Sequence, residues 1–185
     1  LFEKEIEKYL GVPHDWVVCV NSGTAALHLA VEATTNPGEE VLVPSLTYVS
    51  SFQAISASNA VPIPCEVNIN TGNISIDDAK DRVTDKTKAI MPVHYASNPE
   101  GIENVYNFAK SNGLRVIEDS AHAFGCSHKG KKIGSFGDVI CFSFDGIKNI
   151  TSGEGGCLVT SDSKIAEYVR DARLLGVEKD SEKRY

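Results

Sequence analysis

Short apolar segments alternate with amphipathic segments along most of this 185-residue chain. Segments 16–20 and 41–44 are continuously apolar, which is typical of strands that are buried on both faces of a sheet. The segments between them carry apolar residues at helical spacing. Because parallel strands need crossover connections of this kind, the alternation predicts an α/β layered fold with a largely parallel sheet.

The same pattern predicts the individual elements. Helices are expected at 2–10, 24–33, 48–58, 76–83, 102–111 and 164–175. Strands are expected at 16–20, 40–44, 61–65, 87–93, 114–118, 138–144 and 155–160. Ligands of such sheets bind beyond the carboxyl ends of the strands, so the polar residues found there are expected to form one composite site. These residues are 21–24, Tyr48, 119–122 and 143–148.

Composition narrows the class of protein. The net charge is −7 and no basic block occurs, which argues against nucleic acid or a membrane surface as a partner. No apolar stretch is long enough to span a membrane, and no segment resembles a signal peptide. The five cysteines include no C-x-x-C pair and indicate free thiols in a reducing cytoplasm. The five histidines are scattered, so no metal site is expected.

The segment 141–156 is the strongest candidate for chemistry. Ser143 and Lys148 lie between a predicted strand and a glycine-rich turn. A lysine amine in a desolvated pocket has a lowered pKa and attacks carbonyl carbons, and a serine hydroxyl can bind phosphate. Taken alone, Lys148 is more typical of a solvated surface charge. Together with Asp119 at another strand end, it predicts a Schiff-base lysine that holds a cofactor.

Two other strand ends carry groups that complement this lysine. Gly23, Thr24 and Ala25 begin a helix, where backbone amides can bind phosphate, although a plain N-cap gives the same pattern. Asp119 can keep a pyridine-like nitrogen protonated, which matters if the ring acts as an electron sink. A helix cap or an ion pair is the structural alternative for Asp119.

Aromatic residues at strand ends suggest contacts with a flat ring. His122 can hydrogen-bond to a ring or stack on it, and a structural histidine is the equal alternative. Tyr48 can stack on a cofactor or pack in the core. His14 and His28 are expected to be structural, and His94 is compatible with either role.

Five motifs that follow one another along nearly the whole chain carry a family resemblance. They occupy 22–30, 43–51, 116–125, 129–138 and 142–156. Together they closely resemble the DegT/DnrJ/EryC1/StrS family, which are pyridoxal-phosphate-dependent sugar aminotransferases of the aspartate aminotransferase fold. The resemblance implies a mostly parallel mixed sheet with helices on both faces. It also implies that 1–185 is an incomplete large domain without the C-terminal small domain.

The resemblance implies a role for each candidate residue. Lys148 would form the internal aldimine with pyridoxal 5′-phosphate and later carry the proton between cofactor and sugar. Asp119 would pair with the pyridine nitrogen. The remaining implied contacts are those of Tyr48 and His122 with the ring, and of Ser143, Gly23, Thr24 and Ala25 with the phosphate.

The resemblance also implies the reaction. An amino donor, usually glutamate, would supply nitrogen to a nucleotide-linked keto-sugar, in a homodimer with the site at the subunit interface. The product would feed polysaccharide or lipopolysaccharide synthesis. A related sugar dehydratase is disfavoured because a histidine there replaces the lysine, whereas Lys148 is present. A non-catalytic, regulatory relative is the further alternative. A nicotinamide dehydrogenase is disfavoured because the G-x-G-x-x-G fingerprint is absent.

Overall fold

The computed structural model describes residues 1–174, which form an α/β fold. The α-helices in this range are α1 (Phe2–Leu10), α2 (Gly23–Thr34), α3 (Val49–Ala57), α4 (Ile76–Arg82), α5 (Ile102–Asn112) and α6 (Ser163–Ala172). The strands are β1 (Val17–Val20), β2 (Glu40–Pro44), β3 (Val61–Cys65), β4 (Thr87–Ile90), β5 (Arg115–Asp119), β6 (Ser127–His128), β7 (Lys131–Lys132), β8 (Val139–Ser143) and β9 (Gly156–Thr160).

Seven of these strands form one mixed sheet in the order β1-β9-β8-β5-β4-β2-β3. The neighbours from β8 to β3 are all parallel, whereas β9 is antiparallel to both β8 and β1. Strand β1 therefore runs in the same direction as β8, and the carboxyl ends of β1, β2, β5 and β8 share one edge of the sheet. The predicted mostly parallel α/β sheet is confirmed.

Helices cover both faces of the sheet, and alternate strand residues point to opposite faces. Helices α2, α3 and α6 pack against one face, over side chains such as Ile117, Cys141 and Leu158. Helix α1 packs on the other face over Ile140 and Phe142. Helices α4 and α5 cover the remaining strands on that second face. Burial on both faces explains why the strands have nearly continuous apolar sequences.

Most predicted boundaries agree with the structure to within one residue, but two do not. Strand β4 ends at Ile90 rather than 93, because Pro92 has no amide hydrogen to donate to the ladder. Helix α6 ends at Ala172, and the predicted last residue of that helix, Leu175, lies outside the described residues. The β6–β7 hairpin was not predicted, since two-residue strands have no readable periodicity.

Within residues 1–174, no helix combines the length and apolar character needed to cross a membrane. Over the same range, no cluster of three or more His, Cys, Asp or Glu side chains is arranged to hold a metal ion. All five cysteines are free thiols. Burial raises the pKa of Cys19 and of Cys65 to about 11, which leaves both as poor nucleophiles at neutral pH.

Candidate functional site

The residues predicted from sequence to form the site lie at the carboxyl edge of the sheet, at strand ends, at the start of α2 and in the loops that follow the strands. Strand β1 leads directly into the N-terminus of α2, and β2 leads to Tyr48 just before α3. Asp119 ends β5, and Ser143 ends the adjacent parallel strand β8. Lys148 lies in the loop between β8 and β9. The topology thus brings the predicted loops to one edge, as expected from the strand directions.

The Asp119 carboxylate is buried and held by hydrogen bonds. Its Oδ2 accepts a hydrogen bond of 2.8 Å from the hydroxyl of Ser51, and its Oδ1 accepts one of 3.2 Å from the Ala121 amide. Because Ser51 gives its single proton to Asp119, the Thr47 hydroxyl at 2.7 Å is the donor to Ser51. Among the described residues Asp119 caps no helix and forms no ion pair, so both structural alternatives are wrong.

The N-terminus of α2 presents free amides next to Ser143. The Ser22 side chain caps the helix by accepting a hydrogen bond of 3.0 Å from the Ala25 amide, so that amide is already engaged. The amides of Gly23 and Thr24 have no partner within the described part of the chain. A Cβ on Gly23 would lie 2.8 Å from the Ser143 Cβ, so glycine permits this close approach. Two free amides and a hydroxyl at a helix N-terminus suit a phosphate dianion.

Gly156 makes a second close backbone contact at the same place. It pairs with Val20 on one side and with Ser143 on the other. A Cβ at this position would lie 2.4 Å from the carbonyl carbon of Ser22 and 2.6 Å from the Gly23 nitrogen. The absence of a side chain on Gly156 is therefore what allows β9 to fit beneath the start of α2.

Lys148 lies half-buried in a tight turn. Its amide donates a hydrogen bond of 3.0 Å to the Asp145 carbonyl, and the Asp145 carboxylate accepts one of 3.1 Å from the Ile147 amide. The Lys148 ammonium forms no ion pair with any residue in 1–174. The turn is thus ordered by its own backbone and by Asp145, while the amine stays available.

His122 lies within electrostatic range of both catalytic candidates. Burial lowers the pKa of His122, and the nearby positive charge of Lys148 lowers it further, while Asp119 acts in the opposite direction. His122 is therefore neutral at neutral pH. These three side chains come from two adjacent strand ends, and the charges of Lys148 and Asp119 both act on the His122 ring.

Tyr48 is 72% exposed and lies at the N-terminus of α3. The alternative that it packs in the core is therefore wrong. Its carbonyl accepts a hydrogen bond of 3.1 Å from the Ser51 amide, which places it one helical turn from the residue that holds Asp119. An exposed ring at this position is available to cover a bound ligand.

A buried polar network supports the end of β5 from the other face of the sheet. Glu118 is 1% exposed and lies 2.6 Å from Nε2 of His94. Its other oxygen accepts a hydrogen bond of 2.5 Å from the Tyr106 hydroxyl, which itself accepts one from the Asp138 amide. The His94 amide donates to the Asp119 carbonyl. His94 is therefore a structural residue that fixes the strand carrying Asp119.

Replacing Tyr106 with phenylalanine tests this network. The change leaves a Glu118 oxygen and the Asp138 amide without their partner, so we expect the free energy of unfolding to fall by about 1–3 kcal/mol. Urea denaturation measures the loss. Tyr9→Phe is the matched control, because Tyr9 is 41% exposed and should change stability by less than about 0.5 kcal/mol. Equal losses in the two variants would contradict the assigned role.

Comparison with known proteins is consistent with this geometry. The DegT/DnrJ/EryC1/StrS aminotransferase family model matches residues 1–185. The chain is 46% identical over 151 residues to GDP-perosamine synthase of Escherichia coli O157:H7, covering 81% of this chain and 42% of that protein. It is 38% identical over 181 residues to dTDP-4-dehydro-2,3,6-trideoxy-D-glucose 4-aminotransferase of Saccharopolyspora spinosa, covering 97% and 47%. The chain thus spans about half the length of these curated relatives.

Solved structures share the fold as well. DesV of S. venezuelae, crystallised in complex with a ketimine intermediate, matches with a TM-score of 0.91 and 36% identity over 97% of this chain and 48% of that one. Spr1654 of Streptococcus pneumoniae in its PLP form matches with a TM-score of 0.83 and 29% identity, covering 91% and 48%. These neighbours confirm the aspartate-aminotransferase-like fold and indicate pyridoxal phosphate as the cofactor. The chain belongs to the DegT/DnrJ/EryC1/StrS aminotransferase family.

Proposed function

We propose that the protein is a pyridoxal-phosphate-dependent aminotransferase that moves an amino group from an amino acid, expected to be glutamate, to a nucleotide-linked keto-sugar. The observation that carries the proposal is the convergence of an amine, a buried carboxylate and a helix N-terminus with free amides at one edge of the sheet. Family membership supports it, and the names of two relatives specify GDP- and dTDP-linked sugars.

The residues at this edge fit pyridoxal phosphate in charge and in placement. The free amides of Gly23 and Thr24, with the Ser143 hydroxyl, match a phosphate dianion. Asp119 is a buried carboxylate that acts only as a hydrogen-bond acceptor, so it can pair with a protonated ring nitrogen. The Lys148 amine matches the reactive aldehyde. When bound, the cofactor supplies an electron sink for the carbon next to the substrate nitrogen.

Asp119 would hold the proton on the ring nitrogen. The hydrogen bonds from Ser51 and from the Ala121 amide fix the orientation of the carboxylate. The Thr47 hydroxyl extends this support by one further hydrogen bond. Because the charge is buried, its attraction for a cationic ring is stronger than in water.

Lys148 would serve first as the nucleophile that binds the cofactor and then as the base that moves the proton. The turn made by Asp145 orders the backbone but leaves the amine without an ion-pair partner among residues 1–174. Neutral His122 can lie against the ring or its hydroxyl without repelling Lys148. The exposed Tyr48 side chain would cover one face of the cofactor ring. The Ala25 amide can join the phosphate site only by sharing its bond to Ser22.

Exposed apolar side chains next to the site support a homodimer. Ile147 is 86% exposed beside Lys148, and Val49 is 52% exposed beside Tyr48. A second copy that covered this edge would remove both apolar side chains from water, which is favourable. We propose that a second copy of the protein covers this edge, that the enzyme acts in the cytoplasm, and that its product enters polysaccharide or lipopolysaccharide synthesis.

The purified full-length protein tests the assignment directly. After incubation with pyridoxal phosphate and removal of the unbound cofactor, which is itself yellow, the protein should absorb near the edge of the visible range. The spectrum should shift when glutamate is added. Keto-sugar nucleotides should then restore the first spectrum, and a panel that varies nucleotide and ring carbon identifies the substrate. A protein that gains no absorption with the cofactor would contradict the proposal.

Replacing Ser51 with alanine tests the support of Asp119. Because the change removes a hydrogen bond to a buried charged group, we expect the affinity for pyridoxal phosphate to fall about tenfold. Titration of the cofactor-free protein, followed by absorbance, measures the change. Ser50→Ala is the matched control, since Ser50 lies on the same helix but has no hydrogen bond to Asp119. Unchanged affinity in Ser51→Ala would show that the hydroxyl does not support the carboxylate.

A further inference from the structure

Asn149 follows Lys148 in the sequence, and its side chain contacts the loop that follows β5. Its side-chain amide donates a hydrogen bond of 2.7 Å to the His122 carbonyl and one of 3.2 Å to the Phe124 carbonyl. The Ser97 hydroxyl lies 3.5 Å from the same nitrogen. One side-chain amide therefore joins the segment that carries Lys148 to the segment that carries His122.

No other hydrogen bond within the described chain makes this connection. The backbone of 145–148 bonds only to Ser143 and to Asp145, which belong to the same strand and loop. The Thr151 hydroxyl and the Ser152 amide both donate hydrogen bonds to the Phe144 carbonyl. Without Asn149, the turn that carries Lys148 would be tied only to its own strand end.

Ser97, whose backbone is strained, also contacts the His122 carbonyl. Ala96 and Ser97 have φ angles of 49° and 67°, in the left-handed region where side chains other than glycine are disfavoured. The Ser97 hydroxyl donates a hydrogen bond to the His122 carbonyl. Backbone strain of this kind persists when surrounding contacts hold it and is concentrated near functional sites. The His122 carbonyl thus receives two side-chain donors from two different loops.

We propose that Asn149 and Ser97 are positioning residues that hold the His122 carbonyl and thereby set the placement of the His122 ring relative to Lys148. This inference rests on the proposed function, because it concerns the same cofactor site. His122 and Lys148 share one electrostatic environment, so a shift of either loop changes the distance between the two groups. Fixed geometry between the amine and its neighbours favours covalent capture of the cofactor.

The Asn149→Ala variant of the full-length protein tests the proposal with two readouts. Because two hydrogen bonds that join the loops are lost, we expect the affinity for pyridoxal phosphate to fall about tenfold. Hydrogen exchange of 144–150 in the cofactor-free protein should accelerate by about tenfold. Asn112→Ala is the matched control, since that side chain also donates to a backbone carbonyl, that of Phe108, but at the end of α5.

The Ser97→Gly variant distinguishes a positioning role of Ser97 from a role in stability alone. Ser97→Gly relieves the backbone strain but removes the hydroxyl, so we expect unchanged or increased thermal stability together with weaker cofactor binding. A structural role alone would move both measurements in the same direction. If Asn149→Ala matches Asn112→Ala in both affinity and exchange, the inference is overturned. If the wild-type protein binds no cofactor, the proposed function fails, while the exchange rates still decide whether Asn149 holds the loops together.

Discussion

Alanine in place of Lys148 is expected to abolish both covalent capture of the cofactor and amino transfer. The amine would act as nucleophile and as proton carrier, and general acid–base catalysis alone contributes about 10²–10⁴-fold. We therefore expect transfer to a keto-sugar nucleotide to fall by at least about 10³-fold. Borohydride reduction followed by mass spectrometry of tryptic peptides should locate the cofactor on Lys148 in the wild-type protein and nowhere in the variant.

The control for this experiment is another lysine of the chain. Lys164 is exposed in the first turn of α6, far from the carboxyl edge of the sheet, so Lys164→Ala should retain capture and activity. The Lys148→Ala protein should also unfold at nearly the wild-type temperature, since Lys148 forms no ion pair among residues 1–174. Cofactor trapped on a different lysine in that variant would show that the reactive amine has been assigned wrongly.

Gly156→Ala is expected to have the largest effect on folding. The new Cβ would lie 2.4 Å from the carbonyl carbon and oxygen of Ser22, which are backbone atoms and cannot rotate away. Strand β9 and the start of α2 must then move apart, and we expect the free energy of unfolding to fall by about 3 kcal/mol. Denaturation by urea measures this loss. Because Gly23 moves with Ser22, cofactor affinity should fall as well.

Gly146→Ala is the matched control for that experiment. Gly146 lies in the loop that connects β8 to β9, and a Cβ there would have only the Gly153 carbonyl oxygen nearby, at 3.9 Å. Its φ angle is outside the left-handed region, so alanine should leave stability within about 0.5 kcal/mol of wild type. If both alanine variants unfold alike, the close approach of Gly156 to Ser22 does not limit stability.

The candidate site residues that can be predicted from the sequence are those whose chemistry shows in their type and position. Asp119, Ser143 and Lys148 stand directly at or after strand ends, and the resemblance to a known family assigns them roles. Ser51 and Asn149 were missed, because their contacts join residues 68 and 27 positions apart. A serine within a helix and an asparagine in a loop have no local signal for such partners. The one local indication for Ser51 is that it lies three residues after Tyr48, a helical spacing that places both residues on the same face of α3.

The role of His94 also depends on tertiary contacts, because its sequence position is compatible with two roles. Its position after a strand fits a ligand contact as well as a structural role. In the structure it is 2% exposed and paired with Glu118, with Tyr106 on the other side of that carboxylate. Burial of a histidine against a carboxylate depends on how α5 packs on β5, which no local pattern encodes.

The sequence by itself determined the α/β class, most of the element boundaries and the edge of the sheet where the candidate site residues lie. These properties follow from the period of apolar residues and from the helical segments between consecutive strands, which can be read locally. Only the tertiary structure decided the strand order, with β9 antiparallel between β8 and β1, and the partners of the site residues. Strand order and side-chain partners depend on packing between distant segments, and the apolar pattern of a buried strand is the same in either direction.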